Sequence, residues 1–125
     1  MHESVYESFL EMLQEKVAQL VVGEPLDDLT DVSALISSND TQRVLDWIAS
    51  ATQQGARLVF GGTKNADGVL LPTVLADTND EMDVCRKEVF GPVVSVMKYS
   101  ELEDALKRAN DTAYGLQAAI FTKDI

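Results

Sequence analysis

From Val5 onward the apolar residues recur at helical spacing: Val5, Phe9, Met12, Leu13, Val17 and Leu20 fall on one face. Ser4-Val-Tyr-Glu7 reads as a capping box, in which a hydroxyl accepts a backbone N–H three residues on and Glu7 reaches back. Gly23 and Pro25 end that helix. Glu24 to Asp40 is a loop rich in turn formers, with a short apolar patch at Ala34, Leu35 and Ile36. The pattern then predicts a second helix over 40–54. Val44, Ile48 and Ala51 line one face, Leu45 and Trp47 widen it, and Gly55 supplies the stop.

Beyond Gly55 the runs become short and strand-like. "ARLVFGG" (56–62) is a strand running into a Gly61-Gly62 turn. "VLLPTVLAD" (69–77) is extended, and Pro72 marks it as an edge or irregular strand. "VVSVMKY" (93–99) is a buried strand. Ser100-Glu-Leu-Glu103 is a second capping box, before a third helix with Leu102, Ala105, Leu106 and Ala109 on its apolar face. "TAYGL" turns the chain and "QAAIFT" (117–122) is a final strand. Strands alternating with helices predict an α/β fold, a largely parallel sheet with flanking helices. The chain has 125 residues, enough for one modest domain. It opens on a helix cap and stops just after a strand, so both ends read as cut.

Charge and residue inventory narrow the function. The formal charge is −11, from 21 acids against 10 bases, which argues against a nucleic-acid surface. It also makes this stretch a poor holder of pyrophosphate, whose binding would fall to another part of the protein. No apolar run is long enough for a membrane span, and the N-terminus lacks the basic start of a signal peptide. One cysteine cannot form an internal disulfide and fits a cytoplasmic setting. There is no phosphate-cradling glycine motif; Gly61-Gly62 is followed by a turn and a strand instead of a helix. With one histidine, His2, read as an exposed bystander at a ragged terminus, no zinc site can be assembled, and no metal is expected. The acidic clusters Asp27–Asp31 and Asp77–Asp83 lack the pattern of a calcium loop. Cys85 has two cationic neighbours, Arg86 and Lys87, that could favour a thiolate. It has no histidine, helix start or glycine turn to activate it, and reads as structural.

Three stretches, in this order, resemble the aldehyde dehydrogenase superfamily. "GARLVFGG" resembles its G-A-x-x-x-x-G-G. "GVLLPTVLADTNDEMDVCRKEVFGPVVSVMKY" resembles its Gly, Pro-Thr, Met and E-x-F-G-P-V series. "ALKRANDTAYGLQAAIFTKD" resembles its A-x-x-x-A-N-x-T-x-Y-G-L-x-A-x-x-F-T. The upstream helix and the Val22–Ser37 loop fit more loosely, with Ser33-Ala34 standing where many members have Gly-Pro. The resemblance implies oxidation of an aldehyde to a carboxylic acid by a cysteine thiolate and a glutamate-activated water, with NAD or NADP taking the hydride.

Carried over by position, Glu88 would accept hydrogen bonds from the hydroxyls of the nicotinamide ribose, and Phe90 would lie beside the nicotinamide, with Gly91-Pro92 shaping the turn. Asn110 is expected to close a helix end and Gly115 to supply a left-handed or tightly packed backbone. Arg43 falls near where some members place a basic residue toward the ribose, but no sharp motif fixes that alignment and it is not counted as a site. The family's G-Q-x-C nucleophile, E-L-G-G base and phosphate-binding segment are absent, so no catalytic residue is expected here. The expectation is a partial catalytic domain over 1–125, inactive by itself, of a homo-oligomeric, cytoplasmic enzyme acting on a small aldehyde, with no nucleic-acid or membrane partner. Cys85, three residues before Glu88, occupies the wrong motif to be the nucleophile. The alternative is a stand-alone, non-catalytic α/β binding or interaction module.

Overall fold

The computed structural model describes residues 1–123; Asp124, the last residue of the third matched stretch, lies outside them. The N-terminus is tethered. The Met1 ammonium donates to the Met97 carbonyl at 2.7 Å, Glu3 N–H to Tyr99 O at 2.9 Å, and Tyr99 N–H to Met1 O at 3.1 Å. His2 is therefore half-buried, edge-on to Tyr99, and not the exposed bystander expected. Its ring accepts the Ser4 N–H at 3.2 Å, nucleating a 3-10 turn over Glu3–Val5. Ser4 is thus inside a turn and caps nothing: helix α1, Tyr6–Val17, starts from Val5 without a side-chain cap. It stops short of the predicted Leu20, whose side chain is exposed.

Helix α2, Ser38–Gln53, begins two residues before the predicted start because Ser37 is its cap. Ser37 Oγ accepts the Asp40 N–H at 3.1 Å and donates to the Asp40 carboxylate at 2.6 Å. Its buried face is Thr41, Val44, Ile48 and Ala51.

Among the described residues three strands form the sheet: β1 Arg57–Phe60, β2 Thr73–Ala76 and β3 Val93–Val96, in the order β1-β2-β3. β1 and β2 run antiparallel (Leu58 opposite Leu75) with an irregularity between Leu58 and Phe60, while β2 and β3 run parallel (Thr73 opposite Val93). The sheet is mixed, not largely parallel. The cause is local. The β1–β2 connection doubles back through Gly61, where the Pro72 carbonyl lies 2.0 Å from where a Cβ would stand and φ is +76°. Only the β2–β3 connection crosses over, carrying the one-turn helix α3, Asp83–Arg86.

β2 is the central strand, and all four of its residues are buried. Pro72 did not mark an edge. It sits just before the first strand residue, where its missing N–H breaks no ladder bond, and the next amide, Thr73 N–H, reaches Pro92 O at 2.8 Å. Alternation along β2 splits the core in two. Leu75 joins Val44, Ile48, Ala51, Leu70 and Met82 on the α2 side. Val74 and Ala76 join Tyr6, Leu10 and Val96 on the α1 side. The result is a helix–sheet–helix sandwich.

The C-terminal quarter packs differently from the prediction. Helix α4, Leu102–Asn110, has Glu101 as its N-cap with no side-chain bond, so the Ser100 box is not formed, and it buries no residue. Its expected apolar face is open, with Leu102 and Leu106 both exposed. Gln117 to Thr122 form no strand and are exposed. A strand exists through inter-strand bonds, and no described strand takes this segment as a neighbour. No helix among the described residues is long and apolar enough to cross a membrane.

Candidate functional site

The segment Lys87–Pro92 joins α3 to β3. Its C-terminal end is fixed by the sheet: Pro92 O accepts Thr73 N–H, and Val93 N–H returns to Gly91 O at 2.8 Å. Gly91 lies against the α2-side core, with Leu35 Cδ2 and Val44 Cγ2 3.4 and 3.5 Å from where a Cβ would be, ordinary packing distances. In the middle, Val89 packs its side chain against the α2-side core. Glu88 and Phe90, on either side of it, are exposed.

Of the two, Phe90 is the unusual one. The Glu88 carboxylate has no hydrogen-bond or ion-pair partner among the described residues, although Lys87 beside it pairs with Asp83 at 3.0 Å. Phe90 is 78% exposed and holds φ at +49°, the left-handed region that a bulky side chain rarely enters. An aromatic in that conformation, in solvent, contributes little to folding. Such backbone strain clusters where ligands bind. The free carboxylate and the open ring suit an ordered pair of hydroxyls and a planar heterocycle. They are the two residues that the motif singled out.

Helix α2 reaches this segment through one residue that the motif did not include. Arg43 Nη2 donates to the Val89 carbonyl at 3.1 Å and to Asp40 at 3.3 Å. Its guanidinium lies over the Trp47 ring at 4.7 Å, and Lys87 Nζ stands 5.2 Å from the same ring centroid. The Ser37 hydroxyl, foremost, and the Arg43 fork together hold the Asp40 carboxyl below its usual pKa.

The remaining sequence candidates lie elsewhere. Cys85 is half-buried at the core edge. The cations beside it are each paired with a carboxylate, Arg86 with Glu81 and Lys87 with Asp83, each at 3.0 Å. A cleft of about 710 Å³ beneath α4 includes Cys85, Ser95 and Arg108 in its lining but neither Glu88 nor Phe90. It is the space under a helix that buries nothing. Asn110 closes the end of α4 by donating to Leu106 O at 2.7 Å. Gly115 is neither left-handed nor closely packed, with nothing within 4 Å of its Cβ position.

The aldehyde dehydrogenase family model matches residues 1–125, and the chain belongs to that family. A 3-sulfolactaldehyde dehydrogenase from Priestia aryabhattai is 42% identical over 125 residues, covering 99% of this chain and 26% of its own length. The aldehyde dehydrogenase of Physcomitrella patens solved with the reaction product succinate superposes with a TM-score of 0.91 at 36% identity, covering 99% of this chain and 26% of that one. A Mycobacterium tuberculosis aldehyde dehydrogenase complexed with NAD+ gives 0.84 at 38% identity, over 90% of this chain and 24% of that one. The chain thus spans about a quarter of the length of the relatives it matches.

Proposed function

We propose that these 125 residues are part of the catalytic domain of an NAD(P)-dependent aldehyde dehydrogenase. Glu88 and Phe90 serve the nicotinamide-ribose end of the cofactor. The observation that carries this reading is the pair itself: an unpartnered carboxylate and a strained, open aromatic on either side of an anchored valine. Bound NAD or NADP supplies the hydride acceptor. Glu88 accepts from the vicinal hydroxyls of its ribose, and Phe90 gives apolar contact to the ring. The relative solved with NAD+ supports the cofactor class.

The substrate on this reading is a small aldehyde, oxidised by a thiolate and a base carried outside this stretch. The parent is a homo-oligomer with no nucleic-acid or membrane partner. A cytoplasmic setting belongs to the same reading and rests on the lone free thiol, Cys85. The 125-residue chain alone oxidises no aldehyde; turnover that depended on Cys85 would overturn the assignment.

The test is Glu88→Gln in the longer polypeptide that carries these residues, with cofactor affinity measured by calorimetry. Loss of a charge-assisted acceptor is expected to weaken binding by about tenfold, or ~1.4 kcal/mol. An unchanged dissociation constant would remove Glu88 from the site.

A further inference from the structure

The stretch from Asp80 to Glu88 carries six charged side chains: Asp80, Glu81, Asp83, Arg86, Lys87 and Glu88. Five of them are in ion pairs. Asp80 meets Arg108 at 3.5 Å, Glu81 meets Arg86 at 3.0 Å and Asp83 meets Lys87 at 3.0 Å. Glu88 alone has no ion-pair partner among the described residues, although two cations immediately precede it in the chain. Arg43 on α2 is also taken, by Asp40 at 3.3 Å. Local geometry produces the pairing. Helix α3 is a single turn, Asp83–Arg86, and Lys87 leaves it extended, with φ −120° and ψ 154°. Asp83 and Lys87 stand at the i,i+4 spacing at which opposite charges meet around a helical turn. Along the chain, Arg86 and Lys87 are within roughly 7 Å of Glu88, backbone to backbone. That is inside the Debye length of about 8–10 Å, so a cation left free there acts on the carboxylate even without touching it.

We propose that Glu81 and Asp83 are positioning residues for the cofactor site: by engaging Arg86 and Lys87 they keep those cations off Glu88 and leave its carboxylate open to the ribose hydroxyls. The inference rests on the assignment of Glu88 to the cofactor. A carboxylate accepts a limited number of hydrogen bonds, and an ammonium or guanidinium bound to it takes the lone pairs that a hydroxyl would use. Releasing either cation creates such a competitor. Neither acid touches a ligand in this scheme. All four side chains of the two pairs are well exposed, from 39% for Asp83 to 79% for Glu81. Pairs this exposed add little to stability, so breaking one leaves the fold intact. The sign of the effect is distinctive. Removing an acid from a chain of charge −11 lessens its repulsion of an anionic cofactor, which on general electrostatic grounds tightens binding. Losing an acid that sequesters a cation from Glu88 weakens it.

Calorimetry on the longer polypeptide separates these cases. Asp83→Asn and Glu81→Gln are each expected to raise the cofactor dissociation constant about two- to fivefold at low ionic strength. The difference from wild type should close at about 1 M salt, where the Debye length falls to ~3 Å. Removing the freed cation as well, in Asp83→Asn/Lys87→Met, is expected to restore affinity. The 125-residue chain gives a reading without cofactor: the Glu88 side-chain carboxyl carbon resonance should shift in Asp83→Asn and return in the double variant. Glu88→Gln is measured in parallel. If Glu88→Gln weakens binding while Asp83→Asn and Glu81→Gln leave it unchanged or tighten it, the positioning role is wrong and the cofactor assignment stands. A loss in Asp83→Asn that Lys87→Met does not rescue overturns the positioning role as well. If Glu88→Gln has no effect, both ideas fall together. Should Asp83→Asn not fold, Glu81→Gln and its rescue by Arg86→Met decide on the same terms.

Discussion

The strained aromatic offers a test in which the usual ranking of two small residues should reverse. Phe90 holds φ at +49° and is 78% exposed. Replacing it with alanine or with glycine removes the same ring, so the lost contacts cancel when the two variants are compared. What remains is the backbone. At an ordinary position alanine is more stable than glycine by about 0.4–1 kcal/mol, because glycine has more freedom to lose on folding. In the left-handed region a residue with a Cβ is penalised by roughly 1–2 kcal/mol, and glycine is not. The balance favours Phe90→Gly over Phe90→Ala by about 0.5–1 kcal/mol. Urea unfolding of both variants, fitted with a common slope, reads this as a higher midpoint for glycine. A midpoint for alanine equal to or above that of glycine would show that position 90 is not left-handed, and the strain argument for the site would go with it. Both variants are expected to bind cofactor weakly in the longer polypeptide. Going from the alanine to the glycine variant then raises stability without restoring binding, as expected of a conformation kept for function.

The Tyr6 hydroxyl accepts the Asp77 N–H at 2.7 Å and donates to Val96 O at 3.0 Å, so Tyr6→Phe should cost about 1–3 kcal/mol in chemical unfolding. Burial, foremost, raises the Tyr6 pKa above its ordinary 10.0. Its contribution is therefore full below that value and lost as pH climbs through the higher folded pKa, and this part of the alkaline loss should vanish in Tyr6→Phe. Ser37→Ala removes the α2 cap and should cost about 1 kcal/mol in the same assay. It also takes away the main group holding the Asp40 carboxyl down. NMR titration should show that pKa rising toward its ordinary 3.8, with the acid-side loss of stability, which sets in below that value, correspondingly smaller. Light scattering of the 125-residue chain should show association that grows with concentration, since Leu106, Leu116, Ile120 and Phe121 are all exposed. A constant monomer mass would count against it.

What was legible in the sequence was what local chemistry dictates. The α2 face follows from spacing and the Gly61 turn from its glycines. On α1 the spacing put Phe9, Leu13 and Val17 toward the core but missed the two buried residues, Tyr6 and Leu10, and included Val5, Met12 and Leu20, which are exposed. Glu88 and Phe90 were picked out by a motif whose residues are contiguous. What was not legible depends on partners far along the chain. Pro72 reads as an edge signal until β3 arrives on its other side, 20 residues later. Ser4 has the spacing of a cap, but the N-terminal strand-like tether to Tyr99 recruits His2 into that job instead. Gln117–Thr122 has strand composition and no strand beside it. Arg43 was noted in the sequence as a loose alignment and set aside; its bond to a main-chain carbonyl 46 positions away was not legible, because a carbonyl leaves no mark in sequence. One signal was available: an arginine four residues before a tryptophan on a helix, the spacing at which a guanidinium can lie over an indole.

That tryptophan has a use that its place in the packing does not announce. Trp47 is the chain's sole indole, and two cations flank it: Arg43 on helix α2 and Lys87 at the first residue of the Lys87–Pro92 segment. Indole emission responds to nearby charge, so rotation of the loop should register as a spectral shift from a single, unambiguous source. Reduced nicotinamide absorbs where indole emits, so a cofactor settling against Phe90 should also quench it by energy transfer. The 125-residue chain thus carries its own optical gauge of that segment, readable without label.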